Sequence, residues 1–336
     1  MTEHPDDLLP FLARRRDALA FDLAYRAPFA SWQHELRSAW QASLPFGDAP
    51  LVMEAKEQSV SGSLEFRCYR FRYATGDAGE AALLLPRGAS EPLPAVVLLH
   101  DHGGSFDAGW RKMIADGVAP AAFYEGRHLG NGLAEAGYAV LCIDALGWGS
   151  RFYGGYERQQ AVAYHALQLG WSLAGIVAVD DLQSIAWLSQ QPEIDAGRIA
   201  VMGFSFGGAR AWQAAALCQK VKAAVSLSWI GCRKDMLSHA NPLLRGHSAN
   251  YFLHPAMALR ADYPDLAGLA ADRPLFIRAG DQDRHMPRET VERAIAQLST
   301  IAGDAGGRLD AAIFAGAHHC PRSVQDEAFA FLARYL

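Results

Sequence analysis

Ser205 lies in Gly203-Phe204-Ser205-Phe206-Gly207-Gly208, directly after the apolar run Ile199 to Met202 and directly before the helix-period segment Ala209 to Leu217. A strand, a tight turn and a helix in that order would project the serine hydroxyl above a sheet, and glycines permit the cramped turn because side chains there would clash. The G-x-S-x-G pattern by itself is weak evidence; its placement gives it weight. A serine hydroxyl attacks a carbonyl only when a base takes its proton, and the base needs an acid to orient it. Both follow in the chain, acid first. Gly280-Asp281-Gln282-Asp283-Arg284-His285-Met286-Pro287 follows the apolar run Leu275 to Ala279, and Ala315-Gly316-Ala317-His318-His319 follows Ala311 to Phe314. Asp281 or Asp283 could serve as acid and His318 or His319 as base. The chemistry so assembled is acyl transfer.

These groups need a scaffold that brings strand ends together. Leu64 to Tyr73 alternates, Ala81 to Leu85 follows a glycine-containing turn, and Ala95 to His100, Ala139 to Ile143 and Ala223 to Leu227 are apolar runs like those before the serine and the carboxylates. Continuous runs suit parallel strands buried on both faces. Helix-period segments alternate with them at Leu129 to Glu135, Leu173 to Leu188, Ala209 to Leu217, Glu289 to Leu298 and Val324 to Leu336. The pattern predicts an α/β fold, a mostly parallel central sheet with helices on both faces. Such sheets collect catalytic groups at the C-terminal edges of their strands.

Residues 1–60 read as a helical extension packed on the core, with Leu8, Leu9, Phe11, Leu12, Leu19 and Phe21, then Trp32, Leu36 and Trp40, spaced for apolar faces. Residues 61–336 read as the catalytic domain. Within it, 229–273 has no clean period and holds Pro242, Pro255, Pro264, His239, His247 and His254, which predicts a lid or pocket wall.

At 336 residues, 51% hydrophobic and 20% charged, the composition is that of a globular chain. A net charge of −5 without a basic block predicts no nucleic-acid partner. Glu3, Asp6 and Asp7 precede only a short apolar stretch, unlike a secretory signal, and no run is long enough for a bilayer span. The expectation is a cytoplasmic protein without a membrane partner. Cys68, Cys142, Cys218, Cys232 and Cys320 are an odd number without C-x-x-C spacing, which argues for thiols rather than disulfides or zinc.

Over Leu64 to Leu336 the chain resembles the α/β-hydrolases, and within them the dienelactone hydrolase and acetyl xylan esterase branch. The likeness rests on Leu99-His100-Asp101-His102-Gly103-Gly104, on Gly137-Tyr138-Ala139-Val140 leading to Asp144-Ala145-Leu146-Gly147-Trp148-Gly149, on the serine turn, and on Asp272-Arg273-Pro274-Leu275 before Gly280 and Asp283. The family's Gly-x-x-Asp-x-x-x-Pro pattern falls on Gly280, Asp283 and Pro287 and implies Asp283 as the acid, while the small residues before His318 imply that histidine as the base. It implies an oxyanion hole from the N–H groups of Phe206 and His102, with Gly103 as the substitute donor. Asp101 departs from the pattern, standing where many relatives carry glycine.

The implied activity is serine esterase chemistry on small-acyl esters such as acetylated carbohydrates, with a small-molecule ester as partner and no cofactor. A peptidase of the same fold and a non-catalytic binding protein are the rivals. A metal reading through His100, Asp101 and His102, or Asp281, Asp283 and His285, lacks H-E-x-x-H or comparable spacing, so no metal is expected. Trp110, Trp148 and Trp229 are candidate substrate-binding rings, alongside Phe106, Phe204, Phe206, Tyr251 and Phe252. The N-terminal helices would cover the pocket or join copies of the chain into a homo-oligomer.

Overall fold

The computed structural model of the chain describes residues 8–47, 49–238 and 241–336; Glu3, Asp6, Asp7 and His239 lie outside them. The strands are β1 (Val52–Ser61), β2 (Leu64–Arg72), β3 (Ala78–Pro86), β4 (Leu93–Leu99), β5 (Ala139–Ile143), β6 (Ile194–Phe204), β7 (Val221–Leu227), β8 (Leu275–Gly280) and β9 (Leu309–Phe314). The helices are α1 (Pro10–Asp17), α2 (Phe29–Ala42), α3 (Leu129–Glu135), α4 (Tyr156–Gln168), α5 (Leu173–Leu188), α6 (Phe206–Leu217), α7 (Arg233–Met236), α8 (Tyr263–Gly268), α9 (Arg288–Ala305) and α10 (Arg322–Tyr335).

One sheet runs in the order β1-β2-β3-β5-β4-β6-β7-β8-β9. The six strands from β5 to β9 are parallel, and β1, β2 and β3 join antiparallel. Every residue of β5 and β8 is buried, which is why these strands read as unbroken apolar runs: helices cover both faces. One core packs α2, α5, α6, α8 and α9 on one face, and a second packs α3 and α10 on the other. From β4 the chain turns to β5 on one side and then returns to β6 on the other. The loops after β4 and β6 therefore diverge and leave a crevice at their C-terminal ends.

The structure departs from the sequence pattern at four points. Residues 1–60 are not wholly helical, because β1 forms the sheet's outer edge from Val52; its sequence mixes charge with isolated apolar residues, as an exposed strand allows, and so carries no period. The extension also divides in its packing. Trp32, Leu36 and Trp40 of α2 are buried against α6 and α9, whereas α1 buries nothing and leaves Leu9, Phe11 and Leu12 exposed. Helix α4 escaped the sequence reading since only Gln159, Ala163 and Ala166 face inward, too few for an apolar stripe.

The segment 229–273 is not all lid. Asp262 and Asp265 form a capping box that starts α8, and the residues from Ala261 to Ala271 are buried in the core. Of the segment, Leu243, Gly246, His247, Ser248 and Phe252 reach the crevice. No single helix among the described residues is long and apolar enough to cross a membrane. The five cysteines are free thiols, with Cys142 and Cys320 buried.

Two predictions separate core from ornament. Trp32 is 1% exposed and its indole N–H donates to the Leu23 carbonyl at 2.9 Å, so Trp32→Ala should cost about 3–5 kcal/mol in urea unfolding. Leu9→Ala should stay within about 0.5 kcal/mol; equal losses would contradict the division at α2. His254 links α2 to the insertion, accepting from Trp40 Nε1 at 3.4 Å and donating to Gln213 at 2.6 Å. Burial holds its imidazole down at about 3, so the unfolded chain takes up a proton first, and stability is lost as pH falls from 6.5. His254→Gln should flatten the change in stability between pH 7 and 5 by up to about 2 kcal/mol, measured by urea melts at both values.

Candidate active site

The turn after β6 places Ser205 at φ 56° and ψ −119°, a left-handed conformation that a non-glycine residue adopts only when its surroundings hold it there. The surroundings are close packing of α6 against β4: a Cβ on Gly207 would collide with the carbonyl oxygen of Leu99. The Ser205 N–H donates to Leu227 of β7 at 2.8 Å, fixing the turn from its other side. The side chain points into the crevice.

There Ser205 Oγ lies 2.8 Å from His318 Nε2, and His318 Nδ1 lies 2.6 Å from Asp283 Oδ2. With the imidazole proton on Nδ1, facing the carboxylate, Nε2 is free to accept from the hydroxyl. The second oxygen of Asp283 accepts from the backbone N–H groups of His285 at 2.8 Å and Met286 at 3.3 Å. The rings of Phe204 and His285 flank His318 with centroids 4.9 and 4.6 Å away, which sets the plane of the imidazole. Burial, then the neighbouring His318, hold His285 down at about 4, so it stays neutral beside its partner.

Asp281 and His319 are elsewhere. Asp281 accepts from the Gly316 N–H at 2.8 Å, tying the acid loop to the histidine loop, and His319 bonds the Ala317 carbonyl at 3.0 Å on the exposed side. The structure thus brings Ser205, Asp283 and His318 together and leaves their sequence neighbours out.

The loop after β4 faces Ser205 from across the crevice. The Asp101 carbonyl accepts from His100 Nδ1 at 2.8 Å and Lys112 Nζ at 3.1 Å, so the peptide joining Asp101 to His102 has its oxygen drawn into the interior. In a trans peptide the N–H points the opposite way, which turns that of His102 toward the crevice. Phe206 is the first residue of α6, where an N–H has no intrahelical acceptor. Among the described residues neither group has a protein acceptor. They can together receive an oxygen that gains negative charge.

Asp101 explains how the loop holds this path. Its carboxylate is 1% exposed, accepts from Tyr124 at 2.7 Å, and pairs with Lys112 at 3.4 Å; Lys112 also donates to the His102 carbonyl at 2.8 Å. Gly103 takes φ +48°, and a Cβ there would strike the Asp101 carboxylate. Lys112 and Tyr124 were not legible as site residues, because nothing in their spacing marks them. His100 is engaged at both nitrogens, its Nε2 accepting from the Ala145 N–H at 3.1 Å. Among the described residues no group of three His, Cys, Asp or Glu is arranged to hold a metal ion.

The cavity over Ser205 has a volume of about 440 Å³ and is bordered by His102, Phe123, Tyr156, Phe204, Phe252 and His285, among others. Trp110, Trp148 and Trp229 do not border it. Trp110 packs in the core on the α3 face, Trp148 lies behind the His102 ring at 5.0 Å, and Trp229 packs on Trp212, Phe252 and Tyr263. Rings of this size gain most from full burial, and proximity in sequence to a motif does not say which side of the sheet a ring occupies. Arg151 is likewise buried and structural, paired with Asp180 at 2.6 Å and Asp77 at 2.8 Å. Tyr156 and His285 also border the cavity, though nothing in their spacing marks them as binding residues, while His247 borders it from the segment predicted as a lid or pocket wall.

The sheet order, with the serine turn at its switch point, defines an α/β-hydrolase. Residues 80–328 match the profile of the Dienelactone hydrolase family, and the chain belongs to that family. It is 27% identical over 260 residues to the protein described as "Putative hydrolase YtaP" of Bacillus subtilis (strain 168), covering 76% of this chain and 83% of that one. Solved structures share the fold at lower identity. Acetyl Xylan Esterase 1 from Thermoanaerobacterium sp. JW/SL YS485 superposes with TM-score 0.61 at 17% identity, over 98% of this chain and 99% of the other. A glucuronoyl esterase from Solibacter usitatus gives 0.65 at 16%, over 94% and 97%.

Lys112 is the ion that makes a buried Asp101 tolerable, so Lys112→Met should destabilise the protein by about 3–5 kcal/mol. Tyr124→Phe, which removes one hydrogen bond from the same carboxylate, should cost about 1–2 kcal/mol. Chemical denaturation of both variants checks the ranking, and a Lys112→Met protein as stable as wild type would show that the carboxylate needs no cation.

Proposed function

We propose that the chain is a serine carboxylic-ester hydrolase acting through an acyl-enzyme on small-acyl esters, with acetylated carbohydrates as the leading substrate class. The observation that carries the reading is the continuous hydrogen-bonded chain from Ser205 through His318 to the buried Asp283, opening into a cavity. Ser205 Oγ bonds to the ester carbonyl carbon as His318 Nε2 takes the hydroxyl proton, and the carbonyl electron pair moves onto oxygen, where the N–H groups of Phe206 and His102 receive it. Collapse expels the alcohol, which takes the proton from His318. Water then adds to the acyl-enzyme with His318 again as base, and release of the acid restores the serine. Asp283 keeps the imidazole in the required tautomer and stabilises the imidazolium. This route uses only side chains, backbone and water.

The family assignment supports hydrolysis, and the names of the solved relatives, acetyl xylan and glucuronoyl esterases, favour an ester on a sugar over a peptide. The assay is hydrolysis of p-nitrophenyl esters from acetyl to octanoyl. Turnover should decline with chain length. Ser205→Ala and His318→Ala should each lose on the order of 10³-fold or more in kcat, Asp283→Asn a comparable amount, and Asp281→Asn little. A fluorophosphonate should label wild type and not Ser205→Ala. Undiminished turnover in Ser205→Ala would sink the mechanism.

A further inference from the structure

Three rings from three separate segments stack along one wall of the cavity. His102, in the loop after β4, lies against Tyr156 with centroids 5.7 Å apart and planes 14° from parallel. Tyr156, the first residue of α4, lies in turn against His247 of the insertion at 5.1 Å and 27°. All three residues border the cavity over Ser205.

The peptide carrying the His102 N–H is anchored at both ends, by different means. Upstream, hydrogen bonds from His100 and Lys112 hold the Asp101 carbonyl. Downstream come Gly103 and Gly104, both at positive φ, a pair with no side chains to pack. What fixes the downstream end is His102 itself, through its carbonyl and its ring. The carbonyl accepts from Lys112 and from Trp148 Nε1 at 3.1 Å. The ring is held by contact: Nε2 is buried without a hydrogen-bond partner, and Phe106, Trp148 and Tyr251 surround it with centroids at 5.6, 5.0 and 6.1 Å. Trp148 and Tyr251 belong to the buried core. Tyr156 does not, being 42% exposed; it closes the box from the solvent side, and its hydroxyl lies 3.8 Å from where a Cβ of Gly104 would sit.

We infer that Tyr156 is a positioning residue, the central plate through which the insertion, by way of His247, sets the His102 N–H for the oxyanion. The inference rests on the reading of Ser205 as nucleophile and His102 as donor. Displacing a reacting or stabilising group by about 1 Å can cost about 10²-fold, and losing one oxyanion donor about 10²–10³-fold, so a loosened donor falls at or below that range.

The test compares an oxo ester with the thiono ester of the same acid and alcohol. Sulfur accepts hydrogen bonds poorly and sits farther from carbon, so a well-placed donor pair favours the oxo substrate. Tyr156→Ala should lower kcat on the oxo ester about 10- to 100-fold, leave KM nearly unchanged, and reduce the oxo-to-thiono rate ratio. Tyr156→Phe should keep both, since the stacking face remains, and His247→Ala should fall between. The ratio is measured within each variant and does not depend on how much of it is folded. A Tyr156→Ala enzyme with wild-type kcat and ratio, or with a raised KM alone, would falsify the inference, the second result making Tyr156 a substrate contact. Activity that survives Ser205→Ala would instead remove the nucleophile reading beneath it.

Discussion

The rest of the site depends on how closely α6 approaches β4 and β7. Three glycines around Ser205 leave the helix no side chains to hold it off, and the result is a serine backbone pressed into a left-handed turn. Strain of this kind is on the order of 1–3 kcal/mol and must be supplied by neighbouring packing. Here that packing is the centre of the sheet. One geometric fact therefore raises the hydroxyl, aligns it with His318 and leaves the first N–H of the helix open beside it.

Around this turn the site is held by two different kinds of force. On the side of the β8 and β9 loops, polar bonds do most of the holding: Asp283 accepts from an imidazole and two backbone N–H groups, while Asp281 binds the neighbouring loop. On the side of the loop after β4 a buried ion pair fixes one end of a peptide and aromatic contact helps to fix the other. The buried charge at Asp101 would be costly alone; with Lys112 and Tyr124 it becomes a strut inside the loop. Burial, then the Lys112 ammonium and His285, also press His102 down to about 3, so its ring adds no charge to this wall of the cavity at neutral pH.

Much of this was legible in the sequence. The parallel strands announced themselves because burial on both faces leaves little room for polar residues, and α3 and α5 match their apolar periods to the residue. The order serine, acid, histidine was visible because Ser205, Asp283 and His318 each sit just beyond a strand, whereas preferring Asp283 to Asp281 needed the family resemblance carried by Gly280 and Pro287. What could not be read had no periodic signature. Helix α4 is polar on most sides, β1 is an edge, and Lys112 becomes part of the site only because a turn folds it under Asp101. The three tryptophans illustrate the opposite error, in which a conspicuous residue near a motif turns its ring into the core.

Strand β1 pairs with β2 and, among the described residues, presents its other edge to no strand. Open backbone edges invite a second chain to add on as a further strand. Glu54, already engaged by Arg70 and Arg72, and Glu57 and Gln58 set charged and amide groups along this border. An incoming strand would have to lie against these groups and strip water from them. The segment that hid its structure by lacking an apolar pattern is, for that same reason, a poor template for aggregation.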